Sequence, residues 1–197
     1  PRRCHAVSHQ QHALRSQAAE GVLDHGRMNV DAIHDQGAAE GGIGHAAPGD
    51  AWFAVDVSGE TISRTPQDQW RADRRLNLEP ALRLGDELGG HLVTGHVDAV
   101  GQIALAEDIG GSTRLEILAS EEIAPFIAEK GSITVDGVSL TVNDVEDEPN
   151  GDVRFALNII PHTGEVTTLG DLSEGDAVNL EIDVLARYLK RMQSLAV

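Results

Sequence analysis

The chain has 197 residues, 41% of them hydrophobic, and 32 acidic against 15 basic side chains give it a formal charge of −17. That length suits one large domain or two small ones, each able to bury its own core. So acidic a surface repels a phosphate backbone and excludes nucleic acid as an expected partner. No apolar run approaches the ~18 residues of a membrane helix, and no basic start followed by an apolar run reads as a secretory signal. The lone cysteine, Cys4, can form neither an internal disulfide nor a cysteine-rich zinc site, so a reducing, cytoplasmic setting is the expectation.

Residues 1–51 differ in kind from the rest: they contain no Phe, Tyr or Trp, yet hold six of the nine histidines. Their few apolar positions follow neither a helical nor a strand period, and no packed core is expected from this stretch alone. His5, His9 and His12 stand at helical spacing, but without carboxylate or cysteine support they do not make a zinc site. From Trp52 onward the text changes. Ala51–Val57, Leu92–Val97, Arg114–Leu118, Ser132–Val135, Ser139–Val145, Arg154–Ile160 and Ala177–Ile182 read as short strands rich in Val, Ile, Leu and Thr. That rhythm predicts an antiparallel barrel or sandwich, and Asp136-Gly137 between two apolar runs predicts a hairpin. Ser120–Lys130 reads as a short helix with Ser120 as N-cap and Gly131 as its stop. Residues 183–196 read as a closing helix, with Val184, Leu185, Tyr188, Leu189, Met192 and Leu195 along one side.

The chain also resembles itself. Shifted by 102 positions, Phe53-Ala54 falls on Phe155-Ala156, Thr61 on Thr163, Thr65 on Thr167, and Asn77-Leu78-Glu79 on Asn179-Leu180-Glu181. Seven identities in an ungapped stretch exceed the roughly two that composition would give by chance, which points to two copies of one barrel. The same shift exposes a gap. The counterpart of Lys130–Val142 should lie at 28–40, which does not match, and the counterpart of Leu92–Val97 would precede residue 1.

Three stretches carry a family likeness: Gly89–Asp98 (GGHLVTGHVD), Lys130–Val145 (KGSITVDGVSLTVNDV) and Ile159–Thr163 (IIPHT). Asn77–Asp86 and Ser58–Thr65 fit the same pattern. In this order and spacing the chain resembles the riboflavin synthase family, lumazine-binding double-barrel transferases, over about Trp52 to Tyr188. The resemblance implies an all-β fold: two similar antiparallel Greek-key β-barrels in tandem plus a C-terminal α-helix. The first barrel would span 1–91 and the second 92–188, with 183–197 as a helix that assembles a homotrimer. It implies dismutation of two 6,7-dimethyl-8-ribityllumazine molecules to riboflavin and 5-amino-6-ribitylamino-uracil, without metal or redox cofactor. Each site would lie between the first barrel of one subunit and the second of its neighbour. Lumazine synthase is the protein partner it suggests. A ligand-holding protein of the same scaffold that binds lumazine or flavin without turnover is the alternative.

The substrate's C7 methyl is unusually acidic because its ring delocalises the carbanion. The reaction therefore needs two rings held face to face and donors where negative charge spreads, more than strong acid–base groups. By resemblance the second-barrel pocket takes Gly95, His96, Val97 and Lys130, then Ser139, Leu140 and Thr141, then the run Asn158, Ile159, Ile160, Pro161, His162 and Thr163. Ser139 is the candidate for assisting nucleophilic addition or proton movement, and His96 or His162 for carrying protons. Other readings stay open: Lys130 as a helix C-terminal cation, Pro161 and Thr163 as turn residues, the helical stripe as packing on its own barrel. Of the first-barrel site only Asp56, Val57, Ser58, Gly59, Glu60 and Thr61 remain, and Cys4 lies in no family context. The Ala/Gly/His/Gln bias of the first 50 or so residues resembles that of miscoded GC-rich DNA, so a shifted reading frame or mis-assembled gene is the expectation for them, with a genuine divergent N-terminal segment as the alternative.

Overall fold

The computed structural model describes residues 12–14, 27–31, 44–45, 52–56, 59–71, 74–78 and 84–195. In the first half, β1 (His12–Leu14), β2 (Arg27–Asp31) and β3 (Gly44–His45) precede β4 (Trp52–Asp56), α1 (Gly59–Arg64) and β5 (Leu76–Leu78). β4 lies between β2 and β3, with Phe53 opposite Val30 and Ala54 opposite His45, while β1 pairs with β5. Three of these strands fall in the stretch where no strand period is legible. Each pairs with β4 or β5 and none with another of the three, so this stretch adds edges to strands supplied by later sequence. His5 and His9 lie outside the described residues.

The second half is a closed antiparallel barrel. Its strands are β6 (Ala99–Asp108), β7 (Thr113–Ala119), β8 (Ser132–Val135), β9 (Val138–Asp147), β10 (Val153–Ile159) and β11 (Ala177–Ile182), and α2 (Pro161–Val166) and α3 (Val184–Gln193) follow β10 and β11. Around the barrel the order is β10-β7-β6-β11-β8-β9. β8, β9 and β10 follow one another as hairpin neighbours and β11 returns beside β8, which is the Greek-key order. Closure leaves no free sheet edge. Alternation drives it: Leu115 and Ile117, Ile133 and Val135, Val153, Phe155 and Leu157, Val178 and Leu180 all point inward and are buried. Each such side chain contributes about 1.5–3 kcal/mol on leaving water. Asp136 and Gly137, at φ 45° and 81°, make the tight turn that the Asp-Gly pair predicts.

Three expectations are corrected. Leu92–Val97 is not a strand. The barrel opens at Ala99, and residues 92–98 run irregularly with Gly95 at φ 73°, two of their amides bonded to a side chain instead of a ladder. Ser120–Lys130 is not an α-helix: Ile123, Phe126 and Ile127 donate to Ser120, Ile123 and Ala124, each three residues back, around a 3₁₀ turn at Ala124–Phe126. Pro125 has no N–H to give to residue 121, so an α ladder cannot continue there. Nor does Gly131 stop the segment; Lys130 holds the left-handed position, at φ 62°.

β6, the strand that the pattern of residues hides, carries Gly101 at an inward position where an ordinary strand would place a large residue. A Cβ there would stand 2.7 Å from Ile117 Cγ2 and 2.8 Å from Leu180 Cδ1. The glycine therefore makes room for large side chains from the two strands that flank β6, Ile117 of β7 and Leu180 of β11. Gly101→Ala is expected to overpack the barrel and cost about 1–3 kcal/mol, read as a lower urea midpoint at unchanged slope.

Candidate functional site

Pairing across three strands sets up one polar row on the outside of the barrel. Glu181 of β11 lies opposite Thr134 of β8, and Thr134 lies opposite Ser139 of β9. Their sequence neighbours Leu180, Ile182, Ile133, Val135 and Val138 fill the core, so the row must face outward. Yet Thr134 is only 1% exposed and Glu181 5%. What covers them is the irregular segment 91–98, which crosses the row as a strap.

Each crossing point is a hydrogen bond. His91 Nδ1 lies 2.7 Å from Ser139 Oγ and its Nε2 lies 3.1 Å from Thr134 Oγ1, while the His91 amide donates to Ser139 Oγ at 3.3 Å. The Thr94 amide and hydroxyl donate to Glu181 Oε1 at 2.8 and 2.6 Å, and the Gly95 amide donates to Oε2 at 3.0 Å. Further on, the Asp98 amide donates to the Leu180 carbonyl. The Asp98 carboxylate accepts from the Ile182 amide at 2.9 Å and from Arg187 of α3 at 2.7 and 2.8 Å. This paired carboxylate holds the Arg187 guanidinium above its ordinary pKa. Asp183 caps α3 through the Leu185 amide, at 2.8 Å.

Behind the strap is a cavity of about 270 Å³, between the segment 66–78 and the barrel. Gly95 and Val97 line it with Thr134, Asp136, Asn179 and Glu181 on one side and Arg74, Arg75 and Asn77 on the other. Asn77 ties the two halves: its Nδ2 donates to the Asp136 carbonyl at 2.7 Å and its Oδ1 accepts from the Thr168 amide at 2.8 Å. The Asp136 carboxylate accepts from both the amide and the side chain of Asn179, at 2.8 and 2.9 Å. Burial nonetheless dominates and raises the Asp136 pKa above the usual carboxylate value.

The predicted second-barrel residues are divided among the strap, the approach to β8, β9, β10 and α2. Ser139 and Thr141 share the outer face of β9, Ser139 beneath the strap and Thr141 exposed. The Lys130 amide donates to the Val142 carbonyl at 2.8 Å, which sets Lys130 beside them with its side chain in solvent. Leu157 pairs with Val142 at the end of its ladder, so Asn158 projects just beyond, exposed. Leu140 packs against the core and Ile159 is buried, which leaves their backbone for contact. Ile160 is exposed, Pro161 opens α2, His162 is exposed and Thr163 half-buried. His96 is exposed between Gly95 and Val97, and only these two line the cavity. In the first half, Asp56 ends β4, Val57 and Ser58 lie outside the described residues, and Gly59, Glu60 and Thr61 form the first turn of α1. There Glu60 accepts from Arg64 Nε at 2.9 Å.

Sequence reasoning passed over His91, Thr94, Glu181 and Asp98. Glu181 had one legible signal: it stands at an outward strand position yet its neighbours on both sides are core residues, and it falls on Glu79 in the internal match.

Glu181→Ala is expected to free the strap at its middle, costing about 2–3 kcal/mol, with hydrogen exchange at the Thr94 and Gly95 amides accelerated far more than in the barrel strands. Asp136→Asn keeps an oxygen for Asn179 and removes the buried charge. Because the folded pKa is raised, the wild-type contribution is full below the unfolded carboxylate value of ~3.9 and is lost as pH climbs through the folded value. The variant should therefore match wild type near pH 3 and melt a few degrees higher at pH 7. Thermal melts across this range check it.

Known proteins agree with this layout. The lumazine binding domain family matches residues 94–183, the barrel and the strap from Thr94 onward. The riboflavin synthase of Brucella abortus is 48% identical over 141 residues, covering 72% of this chain and 67% of that protein. That of Mycobacterium tuberculosis is 44% identical over 149 residues, covering 75% and 72%. Among solved structures, LumP complexed with riboflavin superimposes with a TM-score of 0.70 at 18% identity, over 88% of this chain and 96% of that one. LumP complexed with 6,7-dimethyl-8-(1′-D-ribityl) lumazine does so at 0.68 and 18% identity, over 87% and 95%. The LumP likeness establishes the fold, and the identity to the two enzymes establishes descent: the chain belongs to the riboflavin synthase family.

Proposed function

We propose that the chain catalyses the dismutation of two molecules of 6,7-dimethyl-8-ribityllumazine, giving riboflavin and 5-amino-6-ribitylamino-uracil. The observation that carries this reading is the strapped polar row. A fixed hydroxyl (Ser139), an exposed one (Thr141), the exposed residues Asn158, Ile160, Pro161 and His162 and the exposed Lys130 side chain are carried by β9, the β10–α2 junction and the approach to β8, within a domain similar to named riboflavin synthases. Such a surface supplies what the chemistry needs. Backbone groups of 158–163 read a ring edge and polyol hydroxyls, and Ser139 and His96 or His162 assist addition and proton movement. The held geometry removes the entropy of bringing two rings together.

The halves 1–91 and 92–188 are read as two copies of one lumazine-binding unit. α1 and α2 stand 102 positions apart, and in each the threonine after the helix bonds back by four residues: Thr65 Oγ1 to the Thr61 carbonyl at 2.9 Å, Thr167 Oγ1 to that of Thr163 at 2.6 Å. The homotrimer is proposed on α3. Leu185, Tyr188, Leu189 and Met192 are 60–68% exposed along one side of it, so the stripe is not spent on its own barrel and is available to other copies. A cytoplasmic enzyme that receives its substrate from lumazine synthase fits this reading.

A second reading, binding without turnover, is favoured by one observation: residues 28–40 carry no counterpart of the Lys130–Val142 motif, and dismutation needs both rings in place. Mixing the purified chain with 6,7-dimethyl-8-ribityllumazine separates the two. Loss of lumazine with appearance of riboflavin is expected; binding without riboflavin moves the function to the second reading, and no binding overturns both. Leu189→Asp is expected to abolish assembly, seen by sedimentation as a monomer of unchanged barrel stability.

A further inference from the structure

We propose that His91 is a positioning residue of the second-barrel site, fixing both the orientation and the hydrogen-bond polarity of Ser139; the inference rests on the functional reading above and deepens it. Ser139 Oγ meets His91 twice, at the ring Nδ1 (2.7 Å) and at the backbone amide (3.3 Å). The ring's other nitrogen meets a second hydroxyl, Thr134 Oγ1, at 3.1 Å. Both ring nitrogens are thus committed, and the imidazole is clamped between hydroxyls of adjacent strands. The contact is as close as the backbone permits: a Cβ on Gly90 would stand 2.3 Å from Ser139 Oγ. Glycine at position 90 is what lets the strap reach the serine.

The consequence is set by counting donors. A serine hydroxyl has one proton and two lone pairs, and the His91 amide occupies one pair. If the ring carries its proton on Nε2, Nδ1 accepts the Ser139 proton, and Nε2–H donates to Thr134. Ser139 then offers a ligand only a lone pair. If the proton sits on Nδ1, the ring donates to Ser139, whose own O–H turns outward as a donor, and Thr134 donates to Nε2. Moving one proton across His91 therefore converts Ser139 from acceptor to donor with no heavy atom displaced. A group that first takes up a proton and later returns one needs this reversal.

The test is a double-mutant cycle on the full chain with 6,7-dimethyl-8-ribityllumazine, read as kcat, KM and ligand fluorescence. His91→Ala is expected to lower kcat roughly ten-fold, the scale of one site hydrogen bond, with KM little changed. His91→Asn, whose amide reaches where Nδ1 stood, should recover most of the loss. In a Ser139→Ala background His91→Ala should add nothing. Gly90→Ala, which displaces the strap and keeps the imidazole, should reproduce part of the defect. An equal His91→Ala effect with and without Ser139, or no effect on a folded variant, overturns the proposal. If wild type binds without turnover, the same cycle is read on the lumazine Kd. If it does neither, the functional reading fails separately, and the imidazole ¹⁵N shifts of His91 decide this one: unchanged shifts in Ser139→Ala overturn it.

Discussion

A single buried carboxylate organises the outer face of this barrel. Glu181 sits at an outward strand position that solvent would normally bathe, and it is kept from water by the segment it holds, accepting two amides and a hydroxyl at 2.6–3.0 Å. An ionised carboxylate accepting several donors offsets its desolvation through those bonds, and losing them would leave a buried charge unpartnered. The strap has no ladder of its own, so without Glu181 its middle has nothing to lie against. His91 and Asp98 fix its two ends, on β9 and on α3. The position of Gly95–Val97, the orientation of Ser139 and the shape of the cavity all follow from this three-point attachment.

The junction between the halves obeys a similar logic with one telling defect. Asn77 has both ends of its amide satisfied, its Oδ1 by the Thr168 amide. Asn179, its partner in the internal match, donates to Gln69 and Asp136 but leaves Oδ1 buried and unpartnered. The residue 102 positions before Thr168 is Pro66, which has no N–H to give. The asymmetry between the two asparagines is thus a one-residue effect, and it falls inside the stretch where the two halves match best.

Much of the barrel was legible because its strands alternate cleanly. β7, β8, β10 and β11 follow from Leu115/Ile117, Ile133/Val135, Phe155/Leu157 and Val178/Leu180, and the Asp136-Gly137 turn announces itself. β6 was hidden by Gly101, a strand-weakening residue that is there to admit Ile117 and Leu180. Residues 120–130 looked helical by caps and charge, yet Pro125 breaks the ladder into three-residue turns. The strap was misread as a strand for an instructive reason: a segment bonded crosswise through side chains has no period, so LVTGHV could be recognised by resemblance but not by pattern. The same blindness concealed His91 and Glu181, whose roles depend on residues 48 and 87 positions away.

Those separations govern how the molecule comes into being. The strap precedes the barrel in the chain, but Thr94 waits for Glu181, 87 residues later, and Asp98 for Arg187, 89 later. Closing so long a loop is entropically slow, and during synthesis it cannot begin until β11 has left the ribosome. β11 is also the strand that fills the gap between β6 and β8. Barrel closure and seating of the strap are therefore completed by one event. A nascent or partly unfolded chain has open edges at β6 and β8 and no assembled site, so ligand can recognise only chains that have finished folding, and its binding will draw the population toward them.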